Sequence, residues 1–271
     1  MGKGNFILGT GSSSIGDVTF ARRNGQQIAR VRVRKIKNPK SYGQAEQRMI
    51  SAEVVKFYSP LSGVLETSFE GLSKSESYAK FLSVNMNLAR ANEWPAKKGE
   101  VLPFPFQIAA GSLAEPNVAD GVLQINAPGE GATMNMGTLS QLIIDKYDLQ
   151  NGDQVTCIGW KENTNTEGLW TPKYFRFYLN TDSTDALPTE LEYDQAMGGL
   201  GFYGYQEHVA FIFSRWDGEK WARSNSFVFC SPDVLSTWVT PEKYAAAVAS
   251  YMNAGGRTPI SNVYLNGHDD E

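Results

Sequence analysis

Between Asp17 and Lys37 the chain alternates in a way that predicts a β-hairpin, DVTFARRNGQQIARVRVRKIK. Asn24-Gly25 suits the positive φ angles of a two-residue type I′ turn, and alternating residues run away from it on both sides. The register follows: Arg23 opposite Gln26, Ala21 opposite Ile28, Thr19 opposite Arg30, Phe20 opposite Ala29 and Val18 opposite Val31. Because side chains alternate faces, Val18, Phe20, Val31 and Val33 share one side, and Arg23, Arg30, Arg32 and Arg34 share the other.

Pro39 then stops the strand, and Ser41 with Gln44 has the form of a capping box. It opens a helix with Ala45, Met49, Ala52, Val55 and Phe57 largely on one face, ending at Pro60. A second helix follows from about residue 75, capped by Ser75 or Ser77, with Tyr78, Phe81, Leu82, Met86 and Leu88 as its apolar stripe. Residues 95–121 hold four prolines and three glycines, too many for long regular structure. They predict a crossing segment anchored by Phe104 and Phe106. From Asp120 the period becomes two: GVLQINA, DQVTCIGWKE, KYFRFYLN, HVAFIFSRW and NSFVFCS are short runs bounded by turn residues. Thr138 is the expected cap of a helix, LSQLIIDKYD. Asp217-Gly218 makes the turn of a second hairpin, and Pro241 begins a last helix, PEKYAAAVASYMN. The glycine-rich run MGGLGFYGY, residues 197–205, suits an irregular connection. The architecture expected is α+β and β-rich: a basic hairpin with two helices (1–116), then a mainly antiparallel sandwich or barrel with a C-terminal helix (117–271), with the boundary placed at Pro116 and a single domain equally compatible.

Composition changes this picture in one respect. A net charge of −4 over 271 residues is unremarkable for a soluble fold. Residues 1–50, however, hold ten of the 25 basic residues and only two of the 29 acidic ones, a local charge of +8; the 15 bases and 27 acids that remain give −12. Such asymmetry marks a polyanion-facing end, or an end that docks on an acidic neighbour. Neither a signal peptide nor a window near the roughly 20 apolar residues of a membrane span is evident, so no membrane partner is expected.

Candidate chemistry is sparse. With two histidines, His208 and His268, and two cysteines, Cys157 and Cys230, in apolar runs, no metal site is expected and the thiols read as buried. Gly9-Thr10-Gly11 precedes a strand instead of a helix and matches no phosphate-loop spacing, so no cofactor is expected. No nucleophile, base and carboxylate fall into a recognisable pattern, so no catalytic residue is assigned. What remains is the cationic row Arg23, Arg30, Arg32, Arg34, Lys35, Lys37 and Lys40, suited to phosphates without reading sequence. Trp216 and Trp221, near Arg215, Lys220 and Arg223, either stack on unpaired bases or form a cross-strand pair.

The runs GDVTFARRNGQQIARVR and NPKSYGQAEQR, within residues 16–48, resemble the start of an uncharacterised protein family found in Bacteroidota and in their phages and mobile elements. SRWDGEKWARSNS (214–226) resembles that family's C-terminal hairpin. The resemblance implies a phage or mobile-element protein, in the host cytoplasm or the particle, and implies no activity. Two functions stay open on the sequence: a non-enzymatic binder of single-stranded DNA, or a structural or assembly protein whose hairpin docks on another copy to form a homo-oligomer. A solvated edge strand, with arginines blocking aggregation, is the plainest account of the same row.

Overall fold

The computed structural model describes residues 13–15, 18–23, 26–31, 41–128 and 133–253. The contacts divide the chain into two compact units, residues 1–40 and 41–271.

In the first unit, β1 (Ser13–Ile15), β2 (Val18–Arg23) and β3 (Gln26–Val31) form an antiparallel sheet in that order. The β2–β3 register is the one the turn predicts, from Val18 opposite Val31 to Arg23 opposite Gln26. Two residues are left between the strands, the minimum that closes a hairpin. Before β2, Ser13, Ser14 and Ile15 form an edge strand that pairs with Phe20, Thr19 and Val18.

The second unit is built on one sheet whose central strands, β7 and β11, are buried on both sides. Its order is β12 (Trp221–Arg223), β11 (His208–Trp216), β7 (Gln154–Glu162), β8 (Trp170–Tyr178), and β14 (Phe229–Cys230) also pairs with β11. Successive residues of β7 and β11 point to opposite faces. Accordingly Ile158, Trp160, Ala210 and Ile212 enter one apolar core, and Val155, Cys157, Val209, Phe211 and Phe213 enter another. Burial of both faces explains why these strands read as nearly unbroken apolar runs.

Helices cover the first face. α1 (Tyr42–Tyr58), a 3-10 turn (Ser59–Leu61), α2 (Ser62–Leu65), α3 (Lys74–Ala91) and α6 (Pro241–Asn253) supply Met49, Val54, Phe57, Leu65, Phe81, Ala247 and Val248. Phe104 and Phe106 lie fully buried among them, as their proline-rich segment predicts. Phe57 stacks on Trp160 at 5.3 Å between ring centroids and meets Phe106 at 4.5 Å. The second face is covered by α4 (Met136–Tyr147) and by a four-stranded sheet, β5 (Val118–Ala119), β6 (Val122–Gln124), β10 (Gly199–Phe202) and β9 (Leu191–Asp194), in that order. A short pair, β4 (Gln107–Ala109) with β13 (Ser226–Phe227), and α5 (Pro232–Trp238) complete the unit. The fold is α+β and β-rich, and neither large sheet closes into a barrel. Among the described residues no helix is long and apolar enough to cross a membrane.

Several local expectations are corrected. Ser41 does cap α1, but through its carbonyl alone: it accepts from Gln44 and Ala45 N–H, and Gln44 Oε1 is buried without a partner. The cap of α3 is Ser73, whose N–H and hydroxyl both bond Glu76 Oε2, at 3.0 and 2.6 Å. The cap of α4 is Asn135, with Thr138 as the N–H donor at 2.8 Å. Residues 199–202 are a central strand instead of an irregular connection, because Gly199 lies so close to β6 that a Cβ there would sit 2.6 Å from Val122 Cγ2.

Candidate nucleic-acid interface

The predicted cationic row is described only at two positions. The backbones of Arg23 and Arg30 belong to β2 and β3, on one side of the sheet with Ala21 and Ile28 by register. Arg22 falls on the other side, with Val18 and Phe20. Arg32, Arg34, Lys35, Lys37 and Lys40, with the Asn24-Gly25 turn, lie outside the described residues.

Trp216 and Trp221 are brought together. They stand directly opposite across the β11–β12 hairpin, their rings 5.3 Å apart and tilted by 53°. This is the cross-strand pair that steadies a hairpin, yet Trp216 stays 52% exposed. Their charged neighbours divide between the faces. Arg215 points to the opposite side of the sheet, where Nη2 meets buried Asp153 at 2.7 Å and Nε bonds the same carboxylate. That hydrogen bond raises the Arg215 pKa above its ordinary value, so this guanidinium is committed within the fold. Arg223 shares the face of the indoles, 4.7 Å above the Trp221 ring, and is only 8% exposed.

The same face continues onto β8. Tyr178 pairs with Gln154 and Arg176 with Thr156, while Ser214 pairs with Gln154 and with Arg223. Directly opposed residues share a side. Tyr174, Arg176 and Tyr178 therefore stand on the same side as Trp216, Trp221 and Arg223, two strand spacings from β11 and three, or roughly 14 Å, from β12, with Thr156, Ile212 and Ser214 buried between them. Tyr174 is 50% and Tyr178 59% exposed, Arg176 is exposed, and its guanidinium lies 5.3 Å from the Tyr174 ring centroid. The intervening Phe175 and Phe177 pack on the opposite core. Sequence reasoning read KYFRFYLN as a strand without singling out its Tyr-x-Arg-x-Tyr row, although the alternation of aromatic-polar and apolar positions carries that signal. Exposed rings interleaved with guanidinium groups can stack on bases and neutralise phosphates.

A cavity of about 190 Å³ beside Trp170 and Trp238 is rimmed by Lys97, Glu100 and Glu162. Glu100 accepts the Lys97 N–H and Glu162 that of Gly168. His208 is fully buried against the same two indoles, and burial lowers its pKa to about 4. Both cysteines are buried free thiols with pKa values pushed up by burial, that of Cys230 to about 12. Among the described residues no group of three or more His, Cys, Asp or Glu is arranged to hold a metal ion.

A family model described as a family of unknown function (DUF6266) matches residues 10–122. The similarity covers β1 to β5 with α1, α2 and α3, and ends before α4 and the large sheet of β7, β8, β11 and β12. No curated protein and no solved structure matches the chain.

Proposed function

We propose that this chain is a non-enzymatic nucleic-acid-binding protein that takes single strands, DNA in the first instance, without reading their sequence. One observation carries the reading: on the helix-covered side of the sheet, the outlying positions Tyr174, Arg176 and Tyr178 of β8 and Trp216 of β11 remain exposed to solvent. Unpaired bases offer ring faces to such a surface, whereas duplex bases are already stacked. The second support is the charge of +8 on residues 1–50, within which Arg23 and Arg30 belong to the β2–β3 hairpin, opposite Gln26 and Thr19. Phosphate contacts by that segment add affinity without sequence preference. The phage or mobile-element setting belongs to the same proposal and rests on the resemblance of residues 16–48.

The test is a titration of labelled single-stranded and duplex oligonucleotides at about 50 and about 200 mM salt, bounds over which four phosphate contacts on a single strand cost roughly 50-fold in affinity. Tight, steeply salt-dependent binding that prefers the single strand, and that falls in a Tyr178→Ala, Trp216→Ala variant and in an Arg23→Ala, Arg30→Ala variant, is the expected result. Weak binding shared by all three proteins overturns it. Concentration-dependent self-association of the nucleic-acid-free protein in sedimentation would then favour an assembly role, for which the opposite charges of residues 1–50 and the remainder argue.

A further inference from the structure

Arg223 is a buried cation that no carboxylate neutralises among the described residues. Its Nε donates to the Thr67 carbonyl at 3.0 Å, Nη2 to Thr67 Oγ1 at 2.9 Å and Nη1 to Ser214 Oγ. A guanidinium carries five N–H donors, so these three bonds leave two with no partner. All three acceptors are neutral, and the remaining neighbour is the Trp221 ring. Glu70 lies beside this strand but meets its backbone: its carboxylate accepts the backbone N–H groups of Arg223 and Ser112 and the Ser112 hydroxyl, and forms no ion pair with the guanidinium.

A buried charge of this kind is costly unless an opposite charge meets it. The nearest groups on the face do not supply one. Arg176, on the same side of the sheet, adds positive charge, and burial together with that charge lowers the Arg223 pKa to about 10. At neutral pH the Arg223 guanidinium remains charged. The region between β8 and β12 therefore has two cations, spare N–H donors and rings at both ends: Tyr174 and Tyr178 on one flank, Trp216 and Trp221 on the other.

We infer that Arg176 and Arg223 together receive one phosphate of a bound strand, with the bases on either side of it stacking on Tyr178 and Trp216. This deepens the single-strand reading and rests on it. Arginine suits the task because its planar fork meets two phosphate oxygens at once. The neutral partners from Thr67 hold the Arg223 fork in place before any ligand arrives, so little side-chain entropy remains to be lost on binding.

The experiment uses the full chain and a labelled oligothymidylate, measured across salt concentrations. Arg176→Gln changes an exposed position and leaves the fold intact; Arg223→Lys is added, with its melting temperature, because that site is buried. Lys146→Gln, on α4, is the control for loss of a distant charge. Removing one phosphate contact from a single strand lowers the salt slope by about 0.7. The expected result is a slope reduced by that amount in Arg176→Gln, weaker binding at an unchanged slope in folded Arg223→Lys, which keeps the charge and loses the fork, and an unchanged slope and affinity in Lys146→Gln. Equal slopes in wild type and Arg176→Gln overturn the clamp while leaving single-strand binding in place. Absence of binding by the wild type overturns the underlying reading, and the clamp with it.

Discussion

Glu53 Oε1 accepts the backbone N–H of Leu102 at 2.7 Å from a site sealed against solvent, and Glu53 Oε2 has no partner. The bond ties α1 to the segment that carries Phe104 and Phe106 into the core. It does so with a group that cannot easily ionise. Burial pushes the Glu53 pKa from 4.5 up to about 8, with the Leu102 N–H opposing only in part. The sign follows from linkage: a folded-state pKa above the unfolded one contributes stability that is complete below about pH 4.5 and is lost as pH rises toward 8. The loss by pH 7 is on the order of 3 kcal/mol. Glu53→Gln keeps the acceptor and removes the titration. Urea unfolding at pH 5 and pH 8 should show the wild type losing stability between them and the variant losing much less. Parallel curves would mean that the carboxyl is ionised in the native protein.

His208 acts in the other direction. Its ring stacks on Trp238 at 5.0 Å and meets Trp170 edge-on at 4.5 Å, and neither nitrogen has a hydrogen-bond partner. Burial lowers its pKa from 6.5 to about 4, so the unfolded chain takes the proton first. The stability it contributes is present above pH 6.5 and is lost as pH falls through 4, on the order of 3 kcal/mol in all. His208→Phe retains an aromatic ring between the indoles and should flatten the acid limb of a plot of melting temperature against pH. A variant with an unchanged acid limb would assign that limb to the carboxylates instead. Because Glu53 penalises alkaline pH and His208 penalises acid, their combined effect is smallest between about 4.5 and 6.5.

Gly159 sits where β7 passes beneath an aromatic side chain. A Cβ at this position would lie 2.4 Å from Cβ and Cγ of Tyr205, whose ring stacks on Phe202 at 4.8 Å. The ring cannot swing away without leaving Phe202. Gly159→Ala should therefore cost about 1 to 3 kcal/mol by overpacking. Tyr205→Gly in the same chain removes the clash, since alanine would keep the offending Cβ, so the double variant should fall short of the sum of the two single losses. Additive thermal-melt values would place the strain elsewhere.

The parts of this fold that were legible in the sequence are those where one local rule decides. Asn24-Gly25 between alternating residues sets the hairpin register, and Pro241 sets the start of α6. Caps were harder because candidates compete: Ser73, Ser75 and Ser77 are spaced alike, and only the backbone at Ser73 lets Glu76 close the motif. The strand at Gly199–Phe202 was hidden because its glycines read as loop, whereas β6 demands the small size of Gly199. The sheet face followed the same logic. Alternation separates Tyr174, Arg176 and Tyr178 from Phe175 and Phe177, but β7 and β11 are apolar on both sides and give no hint of which face of β8 reaches solvent.

Arg215 allows the interface to be dissected from its scaffold. Sequence proximity groups it with Trp216 and Arg223, yet its side chain crosses to the other face and holds Asp153, which also accepts the Gln150 N–H at 2.7 Å. Loss of the guanidinium strands a carboxylate that is 4% exposed, at a cost of roughly 3 kcal/mol. Arg215→Ala should therefore lower the melting temperature while leaving the salt slope of oligonucleotide binding unchanged, provided binding is measured where the variant is folded. Arg176→Gln should do the reverse. A reduced salt slope in folded Arg215→Ala would show that this arginine leaves Asp153 to meet the strand, and that the cationic surface extends around the end of the β11–β12 hairpin to both faces of the sheet.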